Sequence, residues 1–96
     1  MTKINISLTA ARDGWLAQVS IVDEQGSSSH EVVLKQKDYQ RLCQGRCPPE
    51  DLVRASFEFL LQREPKESIL ARFDLPVIGR YFPDFPQWLA KHIEGA

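Results

Sequence analysis

The first third of the chain alternates apolar and polar residues. Ile4, Ile6 and Leu8 are separated by polar side chains, and a second run has apolar residues at positions 15, 17, 19 and 21. A period of two is typical of a strand with one buried face. The intervening Arg12-Asp13-Gly14 predicts a turn, and residues 30–34 predict a shorter third strand. Since parallel pairing needs a long crossover, we expect an antiparallel meander.

The rest of the chain has the character of helices. Residues 36–43 predict a short helix that ends before Gly45. The strongest helix is predicted to open at Pro48-Pro49-Glu50-Asp51 and to end at about Glu64, because proline fits a first turn and Pro65 disfavours continuation. Its apolar residues cover a wide face. One small sheet would not cover that face, so we expect a further contact, from another helix or from a second subunit.

The segment ESILARFDLPVIGRYFPDFPQW, residues 67–88, contains three of the six prolines and five of the nine aromatic residues. Pro65, Pro76 and Pro86 each follow an acidic residue by one or two places. Because Asp caps helix N-termini and proline fits a first turn, these prolines predict helix starts. The segment therefore predicts three short helices, at about 65–73, 75–82 and 85–93, whose apolar faces belong to the core. The alternative is a partly exposed aromatic surface that contacts a partner.

These elements predict one α+β domain over residues 1–96. A three-stranded antiparallel meander (1–35) is followed by four to five short helices (36–96), which pack on one face of the sheet. Twelve residues are expected to be the most buried. They are Trp15, Val19, Ile21, Val32, Leu34, Leu52, Phe59, Leu60, Ile69, Phe73, Ile78 and Phe82.

Composition and charge narrow the possible functions. The apolar content, 43% of the residues, is ordinary for a globular protein. The net charge is −1, which argues against a general polyanion binder. No apolar run approaches the ~18 residues of a membrane span, and the N-terminus has no export signal. We therefore expect a cytoplasmic protein without membrane contact. A local basic run, Lys35, Lys37, Arg41 and Arg46, is either a solvated face or a patch that contacts phosphates.

Few residues suggest catalysis or metal binding. Cys43 and Cys47 have neither the redox C-x-x-C spacing nor a usual zinc spacing, and a disulfide is not expected in a reducing compartment. Ser29 and His30 are neighbours on a strand and point to opposite faces, so they do not form a nucleophile and its base. We expect no cofactor, no metal and no catalytic residue.

Three stretches resemble known families. Residues 49–85, PEDLVRASFEFLLQREPKESILARFDLPVIGRYFPDF, resemble a block of short bacterial proteins that have no assigned function, which implies a bacterial source. The stretch INISLTAARDGWLAQVSIVDEQG looks like the opening hairpin of HicB-like antitoxins. The stretch EVVLKQKDYQRLCQGRCPPEDLVRASFEFLLQR is similar to ribbon-helix-helix DNA binders in its order of elements. The basic run falls where that motif has its DNA-facing strand and first helix.

The leading hypothesis is a small non-enzymatic binding or regulatory protein that acts through protein–protein contacts, as a homodimer. Tyr81, Phe85 and Trp88 are the candidate partner surface. A nucleic-acid-linked regulator, which would use the basic run, is one alternative. An enzyme of unknown class is the other.

Overall fold

The computed structural model describes residues 2–94, which form an α+β arrangement of one sheet and four α-helices. The strands are β1 (Lys3–Ala11), β2 (Gly14–Asp23), β3 (Gly26–Lys35) and β4 (Arg72–Asp74). The helices are α1 (Gln36–Cys43), α2 (Pro49–Arg63), α3 (Val77–Tyr81) and α4 (Phe85–Glu94). One 3₁₀ turn, Lys66–Ser68, lies between α2 and β4.

The sheet has the order β1-β2-β3-β4. The first three strands form the predicted antiparallel meander, in registers that run from Lys3↔Val22 to Ala11↔Gly14 and from Gly14↔Lys35 to Asp23↔Gly26. The third strand is not the short one predicted at 30–34, because residues 26–29 continue the ladder with β2 and give a strand of ten residues. Two-residue turns join them. β4 was not predicted. It pairs in parallel with residues 31–33 of β3, so the sheet is mixed.

Gly14 has a tertiary role besides closing the first hairpin. Its φ is +154°, and a Cβ at this position would lie 2.2 Å from the carbonyl oxygen of Leu34. The adjacent Asp13 carbonyl oxygen accepts a hydrogen bond from the Gln36 N–H at 2.6 Å. The first turn is therefore packed tightly against the junction between β3 and α1, which only glycine permits.

The predicted helices at residues 36–43 and 85–93 and the long helix from Pro49 are confirmed. Helices cover one face of the sheet, and a single apolar cluster fills the space between them. Nine of the twelve residues expected to be most buried are in this core, whereas Trp15, Phe73 and Phe82 are half-buried. The largest fully buried side chains come from both the sheet and the helical layer. Among them are Ile21, Val32, Leu34, Leu52, Phe57, Phe59, Leu75, Phe85 and Leu89.

The prediction of a helix at residues 65–73 was wrong. The chain makes one 3₁₀ turn and then becomes extended, because its backbone pairs with β3. The Glu31 N–H donates to the Ala71 carbonyl oxygen at 2.7 Å, and the Leu75 N–H donates to that of Val33 at 2.9 Å. The next helix, predicted at 75–82, spans only Val77–Tyr81.

The expectation that the cysteines are unpaired was also wrong, since Cys43 and Cys47 form a disulfide with a Cα–Cα distance of 6.0 Å. It joins the end of α1 to the loop before α2. The expectation rested on the redox compartment rather than on geometry, and the turn at residues 44–46 brings the two side chains together. Within residues 2–94, no helix is long and apolar enough to cross a membrane.

Candidate functional site: an apolar groove beside the fourth strand

An apolar groove of ≈ 340 Å³ opens between the C-terminal end of α2, β4 with the segment before it, and α3. Its lining is mostly aliphatic and aromatic, with Glu64 and Ser68 as the polar members. The lining residues are Leu60, Glu64, Ser68, Ile69, Leu70, Phe73, Val77, Ile78, Tyr81 and Phe82.

Two of the groove's residues are unusually exposed for their type. Leu70 is 47% exposed and Tyr81 is 67% exposed. In the part of the chain that the structure describes, Val22 (39%) is the one other large hydrophobic residue classed as exposed. Val22 does not line the groove. Exposed apolar side chains that cluster in a groove mark interaction sites more often than exposed apolar side chains scattered over a surface.

Glu64 supplies a carboxylate at the groove. Pro65 ends α2 here, and the Glu64 backbone is extended, with its N–H donating to Leu60 at 2.9 Å. The residue is half-buried. No cation or hydrogen-bond donor among residues 2–94 contacts its carboxylate, whereas Glu67 and Asp84 nearby both form ion pairs.

Residues 64–82 form one wall of the groove and are called the groove wall below. A buried lysine near the start of this wall binds to the sheet. The Lys66 side chain is 3% exposed, and its Nζ lies 3.0 Å from Asp23 and 2.6 Å from Glu67. The hydrogen bonds to Glu67 and Asp23 raise the pKa of Lys66. The hydrogen bond from Lys66 lowers the pKa of both carboxyl groups. Because Asp23 ends β2, this cluster ties the 3₁₀ turn to the hairpin of β2 and β3.

His30 of β3 binds the middle of the same wall, at Leu70. Its Nδ1 lies 2.8 Å from the Leu70 carbonyl oxygen, and its Nε2 lies 2.8 Å from the Ser28 hydroxyl oxygen. A carbonyl oxygen only accepts, so Nδ1 carries the proton in this contact. The ring is 4% exposed and packs on Phe57. The sequence prediction considered Ser29 and missed Ser28, which is two residues away and therefore shares the strand face of His30.

The predicted partner surface is only partly at the surface. Tyr81 lines the groove, but Phe85 is 1% exposed and packs on Phe59, with ring centroids 5.1 Å apart. Trp88 is half-buried between Phe59 and a stacked His92. The burial of Phe85 has a simple cause. Phe85 is the first residue of α4 and turns toward the core, so only Tyr81 of the three is freely accessible.

The predicted basic patch is divided. Lys35 and Lys37 line one depression together with Arg12 and Asp13, whereas Arg46 lines others, near Ile93. Arg41 forms an ion pair with Asp38 at 3.1 Å. Within residues 2–94, no carboxylate lies at ion-pair distance from Lys35 or Lys37. Binding of nucleic acid stays a prediction.

Within residues 2–94, no group of three or more His, Cys, Asp and Glu side chains could hold a metal ion. Comparison of the chain with family models, with curated proteins and with solved structures gave no match. The site thus has to be interpreted from its own geometry, which combines an apolar concavity with the Glu64 carboxylate, for which the described residues provide no ion-pair or hydrogen-bond partner.

Proposed function

We propose that the protein is a small non-enzymatic binding protein whose groove takes a polypeptide segment of a partner. That segment carries a large apolar side chain next to a lysine or arginine. The observation that carries the proposal is that the half-buried Glu64 lines an apolar groove and that no cation among residues 2–94 contacts its carboxylate.

The apolar part of the groove supports binding of a side chain rather than of a large ligand. At ≈ 340 Å³ it lies at the small end of ligand pockets, which run from about 300 to 1,000 Å³. Burial of Leu70 and Tyr81 by a partner would remove apolar surface from water, at roughly 25 cal/mol per Å². Interface hot spots are enriched in tyrosine, which makes Tyr81 the expected anchor.

The carboxylate supplies specificity. A cation of the partner at Glu64 would form a charge-assisted hydrogen bond, which contributes about 1.5–3 kcal/mol when it is well shielded. An acidic segment would be repelled from the same place. The groove therefore favours a basic-apolar sequence over an acidic-apolar one of equal hydrophobicity.

The groove wall is attached to the sheet in the absence of a partner. Lys66, His30 and the β3–β4 ladder each attach residues 66–74 to the sheet. Binding to a wall that is already ordered avoids the entropic cost of ordering a loop.

Selection from a random-peptide display library tests the proposal. We expect enriched peptides to combine Leu, Phe or Trp with a neighbouring Lys or Arg, and Tyr81→Ala to weaken their binding by about tenfold or more. The matched control is Val22→Ala, which removes an exposed apolar side chain elsewhere and should leave affinity unchanged. Peptides that bind Tyr81→Ala as well as they bind the wild type would contradict the proposal.

Glu64→Gln tests the charge separately. This change keeps the shape of the side chain, so apolar binding should remain while the preference for Lys or Arg over Glu in the peptide is lost. If the preference persists in Glu64→Gln, the cation binds elsewhere and the role of Glu64 is wrong.

A further inference from the structure

β1 leaves one edge of the sheet unpaired within residues 2–94. The register Ala11↔Gly14 closes a two-residue turn, so this pair and every second pair from it bond to β2. The backbone groups of Ile4, Ile6, Leu8 and Ala10 therefore point away from β2, toward the open edge. One observation confirms this direction. The Arg54 guanidinium donates to the Ile4 carbonyl oxygen from outside the ladder, at 2.8 Å.

This edge lacks the features that usually keep strands apart. Natural edge strands are commonly short, bulged, or interrupted by proline or charge. β1 is nine residues long, its register with β2 is continuous, and Lys3 is its only charged residue. Arg54 covers the Ile4 end alone. The N–H and C=O groups of Ile6, Leu8 and Ala10 have no partner among residues 2–94.

We propose that a second copy of this chain pairs with β1 along this edge, antiparallel, about a two-fold axis at Leu8. Six hydrogen bonds would then join Ile6 to Ala10, Leu8 to Leu8 and Ala10 to Ile6, at two bonds per pair. The Ile4 carbonyl oxygen keeps its bond to Arg54. The two sheets become one continuous sheet of eight strands.

The side chains of β1 fit this pairing with themselves. On the helix-covered face, the half-buried Ile6 and Leu8 would meet Ala10 and Leu8 of the other copy. On the open face, Ser7 lies opposite Thr9, a polar pair without charge. An isologous contact needs such self-complementarity, since the same patch serves both copies.

Sedimentation equilibrium combined with amide hydrogen exchange tests the pairing in the intact protein. We expect a monomer–dimer equilibrium, and at concentrations above its midpoint the amides of Ile6, Leu8 and Ala10 should exchange at least tenfold more slowly. The amides of Ser7 and Thr9 bond to β2 and serve as the internal control, since their protection should not depend on concentration. A monomer at all concentrations, or a dimer in which Ile6, Leu8 and Ala10 still exchange fast, would overturn the proposal.

Two matched double variants test the register. S7K/T9K sets lysine opposite lysine twice, whereas S7K/T9E sets lysine opposite glutamate at the same two places. Both variants change only exposed residues, so the monomer should fold in each case. We expect S7K/T9K to raise the dissociation constant of the dimer about tenfold or more relative to S7K/T9E. Equal dissociation constants would rule out a register that sets Ser7 opposite Thr9.

Discussion

The meander and the groove wall, residues 64–82, are attached to the sheet in different ways. Each of the first three strands pairs over nine or ten residues with its neighbour in sequence, through turns of two residues. The groove wall instead depends on a parallel ladder of three residues and on the side chains of His30 and Lys66. The meander is thus specified locally, whereas the wall is specified by residues some forty positions away.

The largest effect is expected where α2 meets the wall and α4. The Phe59 ring is fully buried and contacts the rings of Phe82, Phe85 and Trp88. Phe59→Ala should lower the free energy of unfolding by about 3–5 kcal/mol, through lost burial and the cavity that remains. Urea denaturation followed by circular dichroism measures it.

Phe73→Ala is the comparison for that variant, since Phe73 is an aromatic residue of β4 that is only half-buried. It should destabilise less than Phe59→Ala. Equal losses would mean that the wall contributes as much to stability as the core between α2 and α4 does.

The two regions also differ in how far sequence predicts them. The meander, α1, α2 and α4 follow from alternation, capping and proline position, which are local properties. β4 does not, because the alternation of polar and apolar residues over Arg72–Asp74 is too short to predict a strand, and these residues become extended by pairing with β3. The apolar spacing of Ile69, Leu70 and Phe73 suited a helix, and tertiary pairing overrode it.

The second largest loss of stability is expected in the meander, at Gly14. Gly14→Ala should lower the free energy of unfolding by more than the roughly 1–3 kcal/mol typical of backbone strain, because the added Cβ also meets the Leu34 carbonyl oxygen. Gly26→Ala is the matched control. Gly26 has a φ of +138° and nothing within 4 Å of the added Cβ, so only strain remains. Thermal unfolding of both variants should give the lower melting temperature to Gly14→Ala.

A smaller effect is expected at the link between the two regions. His30→Ala removes the hydrogen bonds to Leu70 and Ser28, at about 1 kcal/mol each. The Glu31 amide, which bonds to Ala71, should exchange faster, while the amides in the β1–β2 ladder stay protected. Ser28→Ala removes only one of these bonds and keeps the packing of the His30 ring on Phe57, so it should cost less. Uniformly faster exchange across the sheet would show that His30 supports the whole fold rather than the wall.

The candidate site was harder to predict than the fold. Tyr81 was identified from its place in an aromatic segment, but Phe85 was included with it because composition does not show which way a helix faces. Glu64 and Leu70 were missed. Their place in the groove depends on the proline that ends α2 and on β4, which together open the groove between elements that were predicted to be packed helices.

The smallest effect is a pH dependence of the wall, from Lys66 with Asp23 and Glu67. Folding lowers the pKa of Asp23 below 3.8 and that of Glu67 below 4.5. Their contribution to stability is therefore complete above these values and is lost as the pH falls through the folded pKa values. Folding raises the pKa of Lys66 above 10.5, so its contribution is lost only as the pH rises through that higher value.

Lys66→Met tests this dependence, since it replaces the buried ammonium by an apolar side chain of similar length. Urea denaturation at pH 7 should show the wild type as more stable than Lys66→Met, and the gap should narrow as the pH falls below about 4.5. Arg41→Met is the control, because the Arg41 side chain is 59% exposed and its ion pair with Asp38 is screened by water. The free energy of unfolding of Arg41→Met should differ little from that of the wild type at both pH 7 and pH 3. If the gap for Lys66→Met is the same at pH 7 and pH 3, the two carboxylates do not hold the wall, and its attachment rests on His30 and the β3–β4 ladder alone.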